Sequence, residues 1–256
     1  MATAFVTDPA DPRLGDYRDL RDRHLNEEGA RFVAESELVV RQLLGSGLRV
    51  HSVLLTAPRL HALGEALGEA NVLVAPQEVL DGVAGFHVHR GCLAIGERPA
   101  APVIPAAARA VVALEDLVDV DNLGAITRNA AALGADALLL SPRCADPFYR
   151  KAIRVSMGSV FRLPIVRAAA WPDDLRALKE RGFALVGAVL DAGAVPIASF
   201  APPARFALVL GAEGPGLSAG TKALCDARVT IAMAPGADSL NVATAGAVLL
   251  HRLLSR

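Results

Sequence analysis

Ala207-Leu-Val-Leu-Gly211-Ala-Glu213-Gly214-Pro-Gly216-Leu-Ser218 passes from a wholly apolar stretch into a glycine-rich loop with one acid at its centre. An apolar run without alternation predicts a strand covered on both faces, the kind found in parallel sheets. A glycine-rich loop at the end of such a strand presents backbone N–H and C=O groups to a ligand. As a bare pattern it is weak, because glycine-rich turns are common. It is also not the G-x-G-x-x-G fingerprint of dinucleotide-binding folds, which disfavours an unrelated nucleotide-cofactor enzyme.

On either side the same texture repeats. Strands are expected at residues 110–114, 137–141, 162–167, 184–189, 207–210 and 228–233, and helices at 123–133, 172–181 and 242–254. Apolar strands alternating with helices predict an α/β fold around a mostly parallel sheet, with ligands bound beyond the carboxyl ends of its strands. Pro99, Pro102 and Pro105 fall within a dozen residues, and predict an extended connector over 99–108. Ahead of it lies a smaller α/β pattern, with a helix at 31–44, strands at 50–56, 71–75 and 92–95, and a helix at 58–69. The expected organisation is therefore a small α/β domain over 1–98, a linker over 99–108 and a larger domain over 109–256.

Composition narrows the function classes. Of 256 residues, 53% are hydrophobic and 4% aromatic, so Ala, Val and Leu must build the core. No apolar run approaches the roughly 18 residues of a membrane span. The first residues lack a basic segment leading into an apolar one, so no secretory signal is expected. Cys92, Cys144 and Cys225 form no C-x-x-C pair. This argues against a disulfide framework or zinc site and fits a reducing cytoplasm. His87 and His89 alternate with apolar residues and could share one face of a strand, but two ligands without a third are a poor metal site. Cys144 beside Arg143 has no base near it in sequence.

The net charge of -1 hides an asymmetry. Residues 1–98 hold 10 Arg, no Lys and 14 acids, and the remainder 16 basic and 13 acidic residues. Arg143, Arg150, Lys151, Arg154, Arg162 and Arg167 lie in one stretch with the single acid Asp146. Both a solvated surface and a phosphate-binding patch fit that cluster.

Two more strand-to-helix junctions carry unusual polar residues. Leu114-Glu-Asp-Leu-Val-Asp-Val-Asp-Asn122-Leu-Gly124-Ala-Ile-Thr-Arg128-Asn129-Ala-Ala-Ala-Leu-Gly134 offers Asp121 or Asn122 as a helix cap, with Arg128 near the second turn. Ile231-Ala-Met233-Ala-Pro-Gly236-Ala-Asp-Ser239-Leu240-Asn241-Val242 offers Ser239 or Asn241 as the cap of the last helix. Capping explains one of that pair and not both.

In this order, N-x-G-x-x-x-R-x-A, L-G-A-E-G-x-G and I-x-M-x(5)-S-L-N-V closely resemble the three signature motifs of the SpoU (TrmH) family of SPOUT methyltransferases. The resemblance extends from about Val111 to the C-terminus. Residues 1–98 more loosely resemble the small substrate-binding domain of many members. Two positions depart from the family's pattern: Ala232 stands where proline is usual, and Asn129 where threonine is common. Losing that proline could loosen the loop after Met233 and weaken cofactor binding.

The resemblance implies a SPOUT-type trefoil-knotted sheet with helices on both faces, acting as a homodimer on rRNA or tRNA without metal. It implies S-adenosylmethionine as cofactor, met by Gly211, Ile231, Met233 and Leu240, and methylation of a ribose 2′-hydroxyl. Arg128, Asn122, Glu213, Ser239 and Asn241 match the family's catalytic positions. Once RNA is implied, Arg150, Lys151 and Arg154 are expected to touch phosphates. A free guanidinium with pKa above about 12 is a poor base, so we assign Arg128 to binding phosphate and stabilising the developing alkoxide. A non-catalytic RNA-binding protein of the same fold is the alternative, and the joint presence of the five polar residues argues against it.

Overall fold

The computed structural model describes residues 2–18, 20, 31–88, 90–100 and 102–255. It divides into two compact units, Met1–Ala100 with Phe148–Arg162, and Ala101–Pro147 with Leu163–Arg256.

The first unit holds a five-stranded mixed sheet. Its strands are β1 (Ala2–Phe5), β2 (Arg31–Glu35), β3 (Val50–Leu55), β4 (Asn71–Val74) and β5 (Cys92–Glu97), in the order β1-β4-β3-β5-β2. Helices α1 (Glu37–Leu44), α2 (Ala57–Leu63) and α3 (Gln77–Ala84) connect them. The expected helix over 31–44 is wrong in its first third. Residues Arg31–Glu35 form a strand paired antiparallel to β5, with Val33 opposite Ile95. The helix starts only after Ser36, whose φ of 85° breaks the run. A short apolar segment such as Phe32-Val-Ala fits either period, and pairing decided it. Gly96 makes room for Phe32, since a Cβ there would lie 2.4 Å from the ring. Pro58–Glu69 likewise is not one helix, as α2 gives way to a 3-10 turn over Gly64–Leu67. α3 was not foreseen.

The second unit is built on a seven-stranded sheet. Its first elements are β6 (Ala110–Leu114), α4 (Val120–Leu133) and β7 (Ala137–Leu140). The chain then supplies α5 (Arg150–Val155) to the first unit and returns as β8 (Ile165–Arg167). There follow α6 (Asp173–Glu180), β9 (Ala184–Ala188), β10 (Val195–Pro196), β11 (Phe206–Leu210), α7 (Ala219–Leu224), β12 (Ala227–Thr230) and α8 (Val242–Leu254). Every neighbouring pair is parallel, in the order β10-β12-β9-β11-β6-β7-β8. β11 is inserted between β6 and β9, with Leu210 level with Leu114. All five of its residues are buried. The strand order therefore reverses beside β11, and a crevice is expected there.

Strand ends differ from expectation where loops take over. β8 begins at Ile165 because Ser159–Phe161 turn as a 3-10 helix and Pro164 has no N–H. β12 stops at Thr230, three residues early, where the chain leaves the sheet to line a cavity. The proline-rich segment is not a loose connector. Arg181 donates to the carbonyls of Ile104 (3.0 Å) and Pro105 (3.1 Å), and Arg205 to that of Ala106 (2.9 Å). Thus 102–108 is stitched to the second unit, and the division falls near Ala100, with 148–162 crossing to the first unit against the expected 109–256.

Candidate active site

The carboxyl ends of β9, β11 and β12 open into a cavity of 490 Å³. Its lining includes the glycine-rich loop from Gly211 to Leu217, Ile231, Met233, the stretch from Asp238 to Val242, and Ala245 and Leu249 of α8. That volume suits a small molecule. Four lining side chains are charged: Asp191, Glu213, Lys222 and Asp238. Lys222 Nζ donates to Asp191 Oδ1 at 3.0 Å, which leaves Glu213 and Asp238 to favour a cationic ligand.

The glycine-rich loop folds tightly on itself. Gly216 N–H donates to Ala212 O at 3.0 Å, bringing the loop's far side against Gly211. A Cβ on Gly211 would lie 2.2 Å from Gly216 C and 2.4 Å from Leu217 N. Gly211 is needed for space, while Gly214 (φ 86°) and Gly216 (φ 67°) are needed for their left-handed conformations.

Asn241 joins the three junctions. Its Nδ2 donates to Asn122 Oδ1 at 2.8 Å and to Glu213 Oε1 at 3.0 Å. Its Oδ1 accepts from Ala243 N–H (2.9 Å) and Thr244 N–H (3.3 Å), capping α8. The two backbone donors fix which end of the amide is oxygen, so both N–H bonds must go to Asn122 and Glu213. One side chain thereby spans 119 residues to Asn122 and 28 to Glu213. Asn122 itself is buried. Against the expectation, neither it nor Asp121 caps α4; Asp119 does, accepting from Asn122 N–H at 2.9 Å. Asp119 stands far enough back to begin the helix one turn sooner.

The remaining expected residues divide. Gly211, Ile231, Met233, Ser239 and Leu240 all line the cavity, with Ser239 exposed and not used as a cap. Arg128 does not line it. It is exposed on α4, and among the described residues it makes no hydrogen bond or ion pair. Asn129, next to it, faces α8 and donates to Ala243 O at 3.2 Å. The small-residue face of α8 is used within the chain: a Cβ on Gly246 would meet Leu210 Cδ1 at 2.8 Å.

The basic cluster is mostly committed elsewhere. Arg150, expected on phosphate, instead donates to the buried Glu35 at 2.9 Å and lies 4.0 Å over the Phe86 ring. Arg167 donates to the carbonyls of Ser141, Pro142, Cys144 and Ala145, closing that loop. Arg143 pairs with Asp116 and holds its carboxyl below the usual range, against burial and with help from the Ser141 hydroxyl. Lys151 and Arg154 are exposed. Replacing Arg150 by Ala should lower the unfolding free energy by about 2 kcal/mol. This is less than the ~3–5 kcal/mol for a fully buried pair, because Arg150 keeps some water contact. Urea melts should show it, with Arg154→Ala within about 0.5 kcal/mol of the parent.

Other candidates are accounted for. His87 follows α3 rather than lying in a strand, its Nδ1 2.8 Å from Asp81 Oδ2, and His89 lies outside the described residues. Cys144 is buried and donates to Leu114 O at 3.2 Å. Burial pushes the Cys92 thiol up to about 12 and the Cys225 thiol up to about 11, so both stay protonated at neutral pH. Among the described residues no group of His, Cys, Asp or Glu could hold a metal ion, and no helix is long and apolar enough to cross a membrane.

Known proteins are similar to this chain in sequence and fold. Residues 109–251 match the SpoU rRNA Methylase family. An uncharacterised tRNA/rRNA methyltransferase of Mycobacterium bovis is 43% identical over 96% of this chain and 90% of its own length. The 23S rRNA (guanosine(2553)-2′-O)-methyltransferase of Bacillus subtilis is 36% identical over 58% of this chain and 59% of its own. Among solved structures, the AdoMet-bound rRNA methyltransferase of Sinorhizobium meliloti superposes with a TM-score of 0.84 at 28% identity, covering 98% of this chain and 97% of that one. The SpoU methyltransferase AviRb of Streptomyces viridochromogenes, in complex with the cofactor AdoMet, gives 0.81 at 25% identity, covering 95% and 97%. The cavity over the parallel strands, the three joined junctions and these matches lead to one conclusion: the chain belongs to the SpoU rRNA methylase family of RNA methyltransferases.

Proposed function

We propose that this chain transfers a methyl group from S-adenosylmethionine to a ribose 2′-hydroxyl of rRNA or tRNA, in the cytoplasm and as a homodimer. The observation that carries the reading is the Asn241 amide, which holds Asn122 and Glu213 together at the rim of a cavity of cofactor size. The residues present fit the cofactor. Apolar Ile231, Met233, Leu240 and Leu249 suit its adenine and thioether, and the carboxylates of Glu213 and Asp238 suit its positive charge. When bound, S-adenosylmethionine supplies an electrophilic methyl group. Ala232 in place of proline leaves the loop less restrained, yet Asn241 and the turn from Ala237 N–H to Ala234 O (3.2 Å) still close it.

The rest is the work of this chain. Asn241 sets the separation of the loops, and Asn122 and Ser239 help hold the sugar. Arg128 binds the nucleotide phosphate and steadies charge growing on the hydroxyl oxygen, while the proton leaves to phosphate or water. That it makes no hydrogen bond or ion pair among the described residues supports this role. Arg154 and Lys151, both exposed, contact RNA phosphates, and residues 1–98 form the RNA-binding domain. The chain around the cavity forms the trefoil knot of its family. Exposed Val248 supplies apolar surface for the second copy.

Calorimetry with S-adenosylhomocysteine tests the cofactor, and mapping of 2′-O-methyl sites in total RNA, with and without the protein, tests the reaction. Arg128→Lys should retain part of the methyl transfer and Arg128→Ala less than about 1%, with product binding unchanged in both. A folded but wholly inactive Arg128→Lys would contradict simple charge stabilisation. Product binding without any methyl transfer to RNA would instead favour a non-catalytic RNA-binding role.

A further inference from the structure

Glu115 follows the last residue of β6 and is 4% exposed. Its backbone N–H donates to Leu210 O at 2.8 Å, at the entry of the glycine-rich loop. Its Oε2 accepts from Ser218 N–H at 3.0 Å, at the exit of the same loop. Its Oε1 accepts from Trp171 Nε1 and from Thr221 Oγ1, both at 3.0 Å. Thr221, fully buried in α7, donates its N–H to Ser218 Oγ at 3.2 Å, so the carboxylate also holds the helix that follows the loop. Glu115 does not line the cavity.

The next residue shows how the chain achieves this. Asp116 has φ 55°, a conformation that side chains other than Gly rarely adopt. It is held there by Ser141, whose Oγ accepts from Asp116 N–H at 2.8 Å and donates to Asp116 Oδ1 at 2.9 Å. The turn lets Glu115 face the loop while the chain continues toward Asp119 and α4.

We infer that Glu115 is a positioning residue for the methyl donor. It ties together the two ends of the loop that carries Gly211 and Glu213, and so sets where their backbone and carboxylate stand. The inference rests on the reading that the cavity holds S-adenosylmethionine. Every partner of the Glu115 carboxylate is a donor, so a glutamine amide placed there must turn its NH₂ toward at least one of them.

The test is Glu115→Gln in the full chain, followed by hydrogen exchange and by calorimetry with S-adenosylhomocysteine at 25 °C. Amides of residues 211–218 should exchange at least ~10-fold faster while those of β7 and α4 stay within about twofold. Affinity for S-adenosylhomocysteine should fall about 10-fold. Thr221→Val, which keeps the bond from Ser218 N–H to Glu115 and removes one donor from the carboxylate, should lie between this variant and the parent, and it serves if the first does not fold. Exchange over 211–218 within twofold of the parent would overturn the proposal, as would a loosened loop with unchanged product affinity. An equal rise over all strands of the second unit would make Glu115 a support of the fold only. If the parent protein binds no product, the donor reading fails; the exchange measurement still decides whether Glu115 holds the loop.

Discussion

Asn241→Asp should leave the protein folded and cut its affinity for S-adenosylhomocysteine by at least about 100-fold. Aspartate caps helices as well as asparagine does, so the bonds from Ala243 and Thr244 N–H survive and α8 keeps its start. What changes is the other end of the side chain. An N–H donor shared by Asn122 Oδ1 and Glu213 Oε1 becomes an oxygen facing two oxygens, one of them charged. Like charges about 3 Å apart at an effective dielectric near 20 repel by several kcal/mol, and water at this exposed rim removes part of that. About 3 kcal/mol remaining corresponds to the stated loss. Asn241→Ala is the companion variant. It loses the cap as well, at about 1 kcal/mol of stability, but brings no repulsion, so its affinity should exceed that of the aspartate variant. If the aspartate variant binds product like the parent, the amide bridge has no part in forming the site.

Gly211→Ala should abolish detectable product binding. The added methyl would sit 2.2 Å from Gly216 C and 2.4 Å from Leu217 N, both backbone atoms. A side chain can rotate away from such a clash, whereas here the loop must open, breaking the bond from Gly216 N–H to Ala212 O. Overpacking of this kind costs typically 1–3 kcal/mol. The loop is exposed, so the unit should stay folded with a melting temperature lowered by several degrees. Calorimetry and a thermal melt on one preparation would check both statements. Affinity within tenfold of the parent would mean that the loop's closed form is not the binding form.

Much of the second unit was legible because burial writes itself into apolar runs. α8 begins and ends as its periodicity indicated, and β6 likewise. The cavity residues were legible only through their resemblance to known motifs. No spacing rule connects Asn122, Glu213 and Asn241, which lie up to 119 residues apart. Glu115 is illegible in the sequence for the same reason, since Trp171, Ser218 and Thr221 are 56 to 106 residues away. Short helices such as α3, α5 and α7 have too few turns to show a period. Arg150 misled because a run of basic residues looks alike whether its charges meet phosphate or a buried carboxylate.

The return of Phe148–Arg162 to the first unit limits how the gene can be cut. A fragment ending at residue 98 would be born without Phe148 and Phe161, whose rings lie 5.1 and 5.2 Å from that of Phe32, and without the cation that neutralises Glu35. Such a piece has a hole where its own downstream sequence belongs. During synthesis the early unit must wait some fifty residues for its last component, and transplanting it onto another enzyme would require carrying that distant insert along.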